Sequence, residues 1–380
     1  MILVAGALAC SLAQAAPDST LEIRLCPSDR LYAYPLDARA KIESLLVHTI
    51  LIVNRGDQSV DVGAVRIDLL NHNKTIDRRT LPRDETADWG RSSGTLAQYA
   101  AVMPFDFCNM VGSSLHLGHS KLGRREALAV VLEPFAFQGQ RDFVRVYAEA
   151  SSQSGRITAE RMLPIREEFT KTRFAFPLKG TWWIADGPGF YGSHRTHVPE
   201  EFAWDVEKLG ADGHLYGAKG LRFTDYYGYG AAVMAAADGV VVKLANNLPE
   251  VAAAMQQTGE STKSYAARHL SEEQKLFGLA PERAAGNFVL LDHGNGEYSL
   301  YAHMQRGSVP VRVGQRMKTG DVLGKLGSSG NSTDPHLHFQ VCNKPAVLMC
   351  EGIPVEFSNL SILEAEGQRP LQIGDIVTTK

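Results

Sequence analysis

The stretch Gly327-Ser328-Ser329-Gly330-Asn331-Ser332-Thr333-Asp334-Pro335-His336-Leu337-His338-Phe339-Gln340-Val341 decides how this chain is read. A Gly/Ser/Asn turn runs into an apolar segment that carries two histidines two residues apart. Side chains at i and i+2 of a strand point to one face. His336 and His338 are therefore expected to project together, backed by Leu337, Phe339 and Val341. Two imidazoles on one rigid face suit a metal site, with one ring as ligand and the other beside the metal-bound water. A lone strand histidine is more often a hydrogen-bonded core or edge residue, so the reading depends on the rest of the chain.

Working outward, 380 residues exceed the usual size of a single core and predict two domains. A hydrophobic content of 44% and a charged content of 21% are those of an ordinary globular protein. The formal charge of -3 and the lack of a Lys/Arg cluster interleaved with aromatics give no reason to expect nucleic acid. Residues 1–16 form an apolar run ending in small residues, and Ala13-Gln14-Ala15 fits a signal-peptidase site, although a basic n-region is lacking. A lipoprotein signal at Ala7-Leu8-Ala9-Cys10 is the alternative, with Ala where Leu is preferred. Either way the chain is expected to be exported, periplasmic or extracellular, with no transmembrane helix in the mature chain. Removing residues 1–16 leaves Cys26, Cys108, Cys342 and Cys350, an even number suited to disulfides in an oxidising compartment. Three pairings are possible; Cys26–Cys108 would staple the N-terminal region and Cys342–Cys350 would close a short loop beyond the paired histidines.

The fold is expected to be mostly β. Residues 20–165 read as short strands with turns at Asn54-Arg55-Gly56-Asp57 and Asn71-His72-Asn73-Lys74, which suggests an antiparallel β-sandwich. His48, His72, His116 and His119 are scattered through it and read as surface or core residues. The charged passage 166–176 reads as the connection to a second domain, 177–380. There Ala231–Leu244 predicts a strand pair around Ala237-Asp238-Gly239. Residues from about 246 to 285, rich in Ala, Gln, Glu and Lys, predict a helical insertion of one or two helices. Asn287–His303 predicts a hairpin turning at His293-Gly294-Asn295-Gly296.

With these blocks in order, the second half resembles the lysostaphin/LytM-type zinc peptidases over roughly residues 177–360. The resemblance is carried by His197…Asp205, Tyr301-Ala302-His303 and Pro335-His336-Leu337-His338-Phe339. Ala236-Ala237-Asp238-Gly239-Val240-Val241, Gly286-Asn287-Phe288-Val289 and Gly314–Gly324 fall in the same order as in that family. It implies an antiparallel β-sheet peptidase domain, one Zn2+ per chain held by His197, Asp205 and His338, and catalytic histidines at His303 and His336. It also implies peptide bonds of bacterial cell-wall peptidoglycan as substrate. Two imidazoles and a carboxylate leave a coordination position for water, whose pKa a zinc ion lowers to near 7; His303 or His336 would then move its proton.

The departure from the family lies at the first pair, where the usual spacing is HxxxD but His197 and Asp205 are eight apart. Eight extended residues span about 26 Å, so the chain must fold back, with Val198-Pro199-Glu200-Glu201 as the loop. His194 is the rival first ligand. Tyr301 reads as a packing residue and Asp238 as a turn residue. Two other classes compete. One is a catalytically inactive scaffold that binds or activates another wall hydrolase. The other is a lipoyl- or biotinyl-type carrier, suggested by Val313–Leu323 with Lys318 but leaving the paired histidines unexplained.

Overall fold

The computed structural model describes residues 20–37, 39–86, 88–89, 108, 110, 115–167, 169–189, 192–251, 257, 259–279, 281–363, 365 and 369–379. The expected signal segment, residues 1–16, lies outside them.

Among the described residues the chain is built from mainly antiparallel sheets with little helix. The N-terminal part forms a sandwich. One sheet centres on the strands Ile42–Asn54 and Glu126–Gln138, and the other on Val60–Asn71, Phe143–Ser152 and Gly155–Arg166. The consecutive strands Ile42–Asn54 and Val60–Asn71 thus lie in different sheets. Their inward side chains meet in a core containing Leu45, Ile50, Ile52, Val65, Ile67, Val130 and Val146. Alternation drives this arrangement: Val144, Val146 and Ala148 are buried while Arg145, Tyr147 and Glu149 are only partly covered.

The C-terminal part is organised by a nine-stranded sheet in which Asn287–Asp292, Tyr298–Met304, Leu337–Cys342 and Trp204–Glu207 lie side by side. Its core includes Trp182, Trp204, Val289, Tyr301, Leu337 and Phe339. Tyr301 packs as expected: its hydroxyl accepts from Ala236 N at 2.7 Å and its ring meets Phe339 edge-on at 5.2 Å. Asp238 is likewise a turn residue, accepting from the backbone and hydroxyl of Thr319.

One expectation changes on contact with the structure. Ala232–Met234 and Gly239–Ala245 are strands but do not pair with each other; the first pairs with Val322–Lys325 and the second joins the large sheet. The buried run Ala235-Ala236-Ala237 carries the chain between them through the core. Among the described residues the helical insertion shows one α-helix, Thr262–Leu279, followed by a short 3-10 turn, Pro281–Ala285; residues 252–256, 258 and 280 lie outside them. The passage 166–176 packs on the C-terminal part. Phe174 and Phe176 are buried in the C-terminal core, and the amides of Lys171 and Thr172 donate to the Glu297 carboxylate at 2.6 and 2.8 Å. Its aromatic residues outweigh its charges because burying a phenylalanine stabilises by about 2 kcal/mol.

Cys26 pairs with Cys108 and Cys342 with Cys350, both at Cα separations of 5.8 Å, within the range a disulfide spans.

Candidate metal centre and active site

The paired-histidine motif becomes the strand Leu337–Cys342, with His336 at its threshold in an isolated bridge to Gly327. Its neighbours on either side supply the other groups. Asp205 lies directly across from His338 on one flank, and Ala302, which precedes His303, lies across on the other. Directly opposed residues on antiparallel strands bring their Cβ atoms to about 5 Å. Three strands therefore deliver their polar side chains to one spot.

Asp205 is the hub. Its Oδ1 lies 3.1 Å from His338 Nδ1 and 3.7 Å from His336 Nε2, and its Oδ2 lies 3.3 Å from His194 Nε2. One ligand atom from each of His194, Asp205 and His338 lies within 4.8 Å of the others. His194 thus stands where the sequence reading placed His197. The reason is local: residues 194–196 form a 3-10 turn that points His194 inward. Ser193, just before it, is fastened to Asp186 Oδ2 through its amide at 3.1 Å and its hydroxyl at 2.5 Å. His197 has already left that turn with an extended backbone; its Nδ1 lies 3.6 Å from Glu200 Oε2, and it lines the same cleft from outside the three-residue group. In this geometry the chain folds back through residues 195–203 and not only through 198–201, which is what brings His194 into the group with Asp205 and His338.

The two remaining histidines face each other across the cleft, ring centroids 4.7 Å apart. His303 Nδ1 lies 2.8 Å from Ser329 O and His336 Nδ1 lies 2.8 Å from Asp334 O. A carbonyl can only accept, so each Nδ1 carries the proton and donates, and each Nε2 is left with its lone pair when the ring is neutral. Burial, and then the positive charge of His336 and His338, hold the His303 imidazole well below its ordinary pKa, so it is neutral at pH 7. His303 takes a left-handed backbone, φ 61°, at a break in the strand register. For a side chain of this size that costs on the order of 1–3 kcal/mol. The conformation is locked by the following carbonyl, Met304 O, which accepts from Ser329 Oγ at 2.7 Å and Asn287 Nδ2 at 3.1 Å.

The donor set fits a divalent cation. Burial would raise the Asp205 carboxyl, but His194, His336 and His338 outweigh it and hold Asp205 well below the usual carboxylate range, so it is ionised. Burial would lower His338, but the hydrogen bond and charge of Asp205 prevail and push it up to about 9. The position between these two groups therefore favours positive charge. His338 Nε2 donates to Gln340 Oε1 at 2.8 Å, while Gln340 Nε2 donates to Val347 O at 3.2 Å, which fixes both the amide and the ring. Metal-binding histidines are commonly held through their second nitrogen in this way. Gln340 was missed in the sequence, although its place two residues beyond His338 on one strand face was the signal. Nothing in the sequence pointed to Asp186 or Ser329.

The cleft has a volume of about 350 Å³. His269 of the helix Thr262–Leu279 lines it and stacks on Tyr265 at 6.0 Å, so the helical insertion forms part of its wall.

Residues 277–348 match the model of Peptidase family M23. That segment contains His303, His336 and His338 but not His194, His197 or Asp205, so the choice of first ligand rests on geometry alone. The chain is similar to the peptidoglycan DD-endopeptidase ShyA of Vibrio cholerae, 36% identical over 76 residues, which are 20% of this chain and 17% of that protein. It is also similar to the cell division protein DipM of Caulobacter vibrioides, 39% identical over 62 residues, 16% of this chain and 10% of that protein. The matches thus span less than a fifth of either relative. Among solved structures, lysostaphin from Staphylococcus simulans aligns over 48% of this chain and 52% of its own, with 18% identity and a TM-score of 0.27.

Proposed function

We propose that this protein is an exported zinc metallo-endopeptidase that hydrolyses peptide bonds of bacterial cell-wall peptidoglycan, with His194, Asp205 and His338 as metal ligands. The observation that carries the reading is the convergence of those three side chains within 4.8 Å, flanked by His303 and His336. Peptidoglycan as substrate is supported by the similarity to ShyA. Export is supported by the apolar residues 1–16 and by the two cysteine pairs; no helix among the described residues is long and apolar enough to cross a membrane.

A bound zinc ion supplies Lewis acidity, polarising the scissile carbonyl and acidifying a water. The chain's own residues supply the rest. His303, neutral and with its Nε2 lone pair free, takes a proton from the attacking water as general base. His336, oriented through Asp334 O, gives a proton to the leaving amine or hydrogen-bonds the developing oxyanion only when its ring carries a second proton on Nε2; the proton taken up by His303 and the one given by His336 are rebalanced through solvent at the end of the cycle. Gln340 keeps the proton of His338 on Nε2 and so presents Nδ1 to the metal. Five buried or half-buried groups placed for hydrolysis do not favour the inactive scaffold. The carrier reading leaves the grouped His194, Asp205 and His338 side chains unexplained. The test is release of peptide fragments from purified peptidoglycan, followed by mass spectrometry, with and without a chelator. A zinc-loaded protein inert on every peptidoglycan tested would reverse the choice in favour of the scaffold.

A further inference from the structure

The loop between His194 and Asp205 is gripped by the N-terminal sandwich. Arg195, in the same 3-10 turn as His194, is 1% exposed. Its Nη1 lies 3.5 Å from Glu201 Oε1 and its Nη2 donates to Ser44 Oγ at 3.4 Å. Ser44 Oγ in turn donates to Tyr34 O at 2.9 Å. The other Glu201 oxygen lies 3.0 Å from His48 Nε2, with His48 2% exposed and Glu201 4%. Ser44 and His48 share the sandwich strand Ile42–Asn54. Around this core of charge, the Arg195 guanidinium lies over the Phe202 ring at 5.1 Å and Phe202 meets Tyr34 at 5.7 Å. Val198 joins an apolar cluster with Cys26, Leu51 and Val53.

This contact is expensive. Each buried ion loses several kcal/mol of hydration, and the alignment is poor: both His48 nitrogens and Arg195 Nε and Nη1 make no hydrogen bond among the described residues. The partner strand is distorted at the same level. The ladder between Ile42–Asn54 and Glu126–Gln138 runs from Val47↔Glu133 to Thr49↔Val131, and Leu132, opposite His48, takes φ 60°. A hydrophobic contact of the same size would stabilise better, whereas charged groups at an interface specify register. The register at stake is that of His194, one peptide bond from Arg195.

We propose that His48 and Ser44 are positioning residues for the metal centre: the N-terminal sandwich holds Arg195 and Glu201, and through them the first ligand, His194. The inference rests on the metal-site reading above. It gives the long His194–Asp205 connection a purpose as the docking loop of the sandwich.

The test measures zinc affinity of the full chain by competition with a chromophoric chelator, beside thermal unfolding of the metal-free protein. His48→Leu and Ser44→Ala are compared with Val146→Ala, a change in the sandwich core away from the loop. His48→Leu is expected to weaken zinc binding about 10-fold or more, the scale for a lost outer-shell partner, and Ser44→Ala by less. His48→Gln should recover part of the loss. Val146→Ala should lower the melting temperature with zinc affinity within about twofold of wild type. If His48→Leu does not fold, Ser44→Ala decides. Wild-type affinity in both His48→Leu and Ser44→Ala overturns the proposal, as does a zinc loss in Val146→Ala that tracks its melting temperature. Wild-type protein that takes up no zinc overturns the metal site itself, a failure separable by that control.

Discussion

Replacing His194 with alanine should empty the metal centre, and replacing His197 should not. Structural zinc sites with four protein ligands are worth about 10–16 kcal/mol, or roughly 2.5–4 kcal/mol per ligand. At about 1.4 kcal/mol per factor of ten, losing one ligand weakens binding by about 10²- to 10³-fold. His194 is the member at stake because its Nε2 lies 3.3 Å from Asp205 Oδ2 in the same group as His338. His197 lies at ion-pair distance from Glu200 and is 38% exposed, so His197→Ala should change zinc affinity by less than about threefold. Both variants and wild type would be titrated against a chromophoric chelator, with metal content of the same preparations read by mass spectrometry. A loaded His194→Ala beside an empty His197→Ala would refute the reasoning, since no route then connects the 3-10 turn to the ligand set.

The other predictions concern different links of the same structure. His303→Ala and His336→Ala should keep most of their zinc while turnover falls about 10²-fold or more, as measured by peptidoglycan hydrolysis on metal-quantified samples. Gln340→Leu should weaken zinc binding about 10-fold by freeing the His338 ring, without the complete loss of His338→Ala. Asp68, 1% exposed in the sandwich, shows a pH signature: burial would raise its carboxyl, but Arg78 and Arg145 hold it at about 2. A folded pKa below the ordinary 3.8 means this stability is present above about pH 4 and lost as pH falls through about 2. Asp68→Asn should therefore cost about 2 kcal/mol in urea unfolding at pH 7 and little at pH 2. Non-reducing peptide mapping should return Cys26–Cys108 and Cys342–Cys350; Cys26 joined to Cys342 would contradict the arrangement.

What could be read in the sequence was what depends on short-range geometry. His336 and His338 were legible because strand side chains alternate, and His303 because it ends a hairpin strand that pairs beside them. Asp205 followed from the strand that presents it. His194 and His197 could not be separated that way. Each sits near the end of an irregular loop, and which one turns inward depends on Asp186 seizing Ser193, a contact seven residues back in a different strand. The burial of Phe174 and Phe176 within 166–176 was not legible, because charged residues dominate that passage.

The irregularity in the motif and a costly contact between the two halves fall on the same residues. A spacing longer than HxxxD weakens the geometric tie between first ligand and carboxylate, because every added loop residue adds backbone freedom worth about 1–2 kcal/mol to restrain. Arg195, Val198, Glu201 and Phe202 are the loop residues that contact the sandwich, and they restore that restraint from outside the peptidase sheet. From the C-terminal side, Gly352 N donates to Val198 O at 3.0 Å beside the Cys342–Cys350 pair. A loop pinned on both sides can hold His194 as firmly as a short one. The N-terminal sandwich is on this argument part of the metal centre's support, not an appended module, and removing it should cost metal affinity even where the peptidase sheet itself survives.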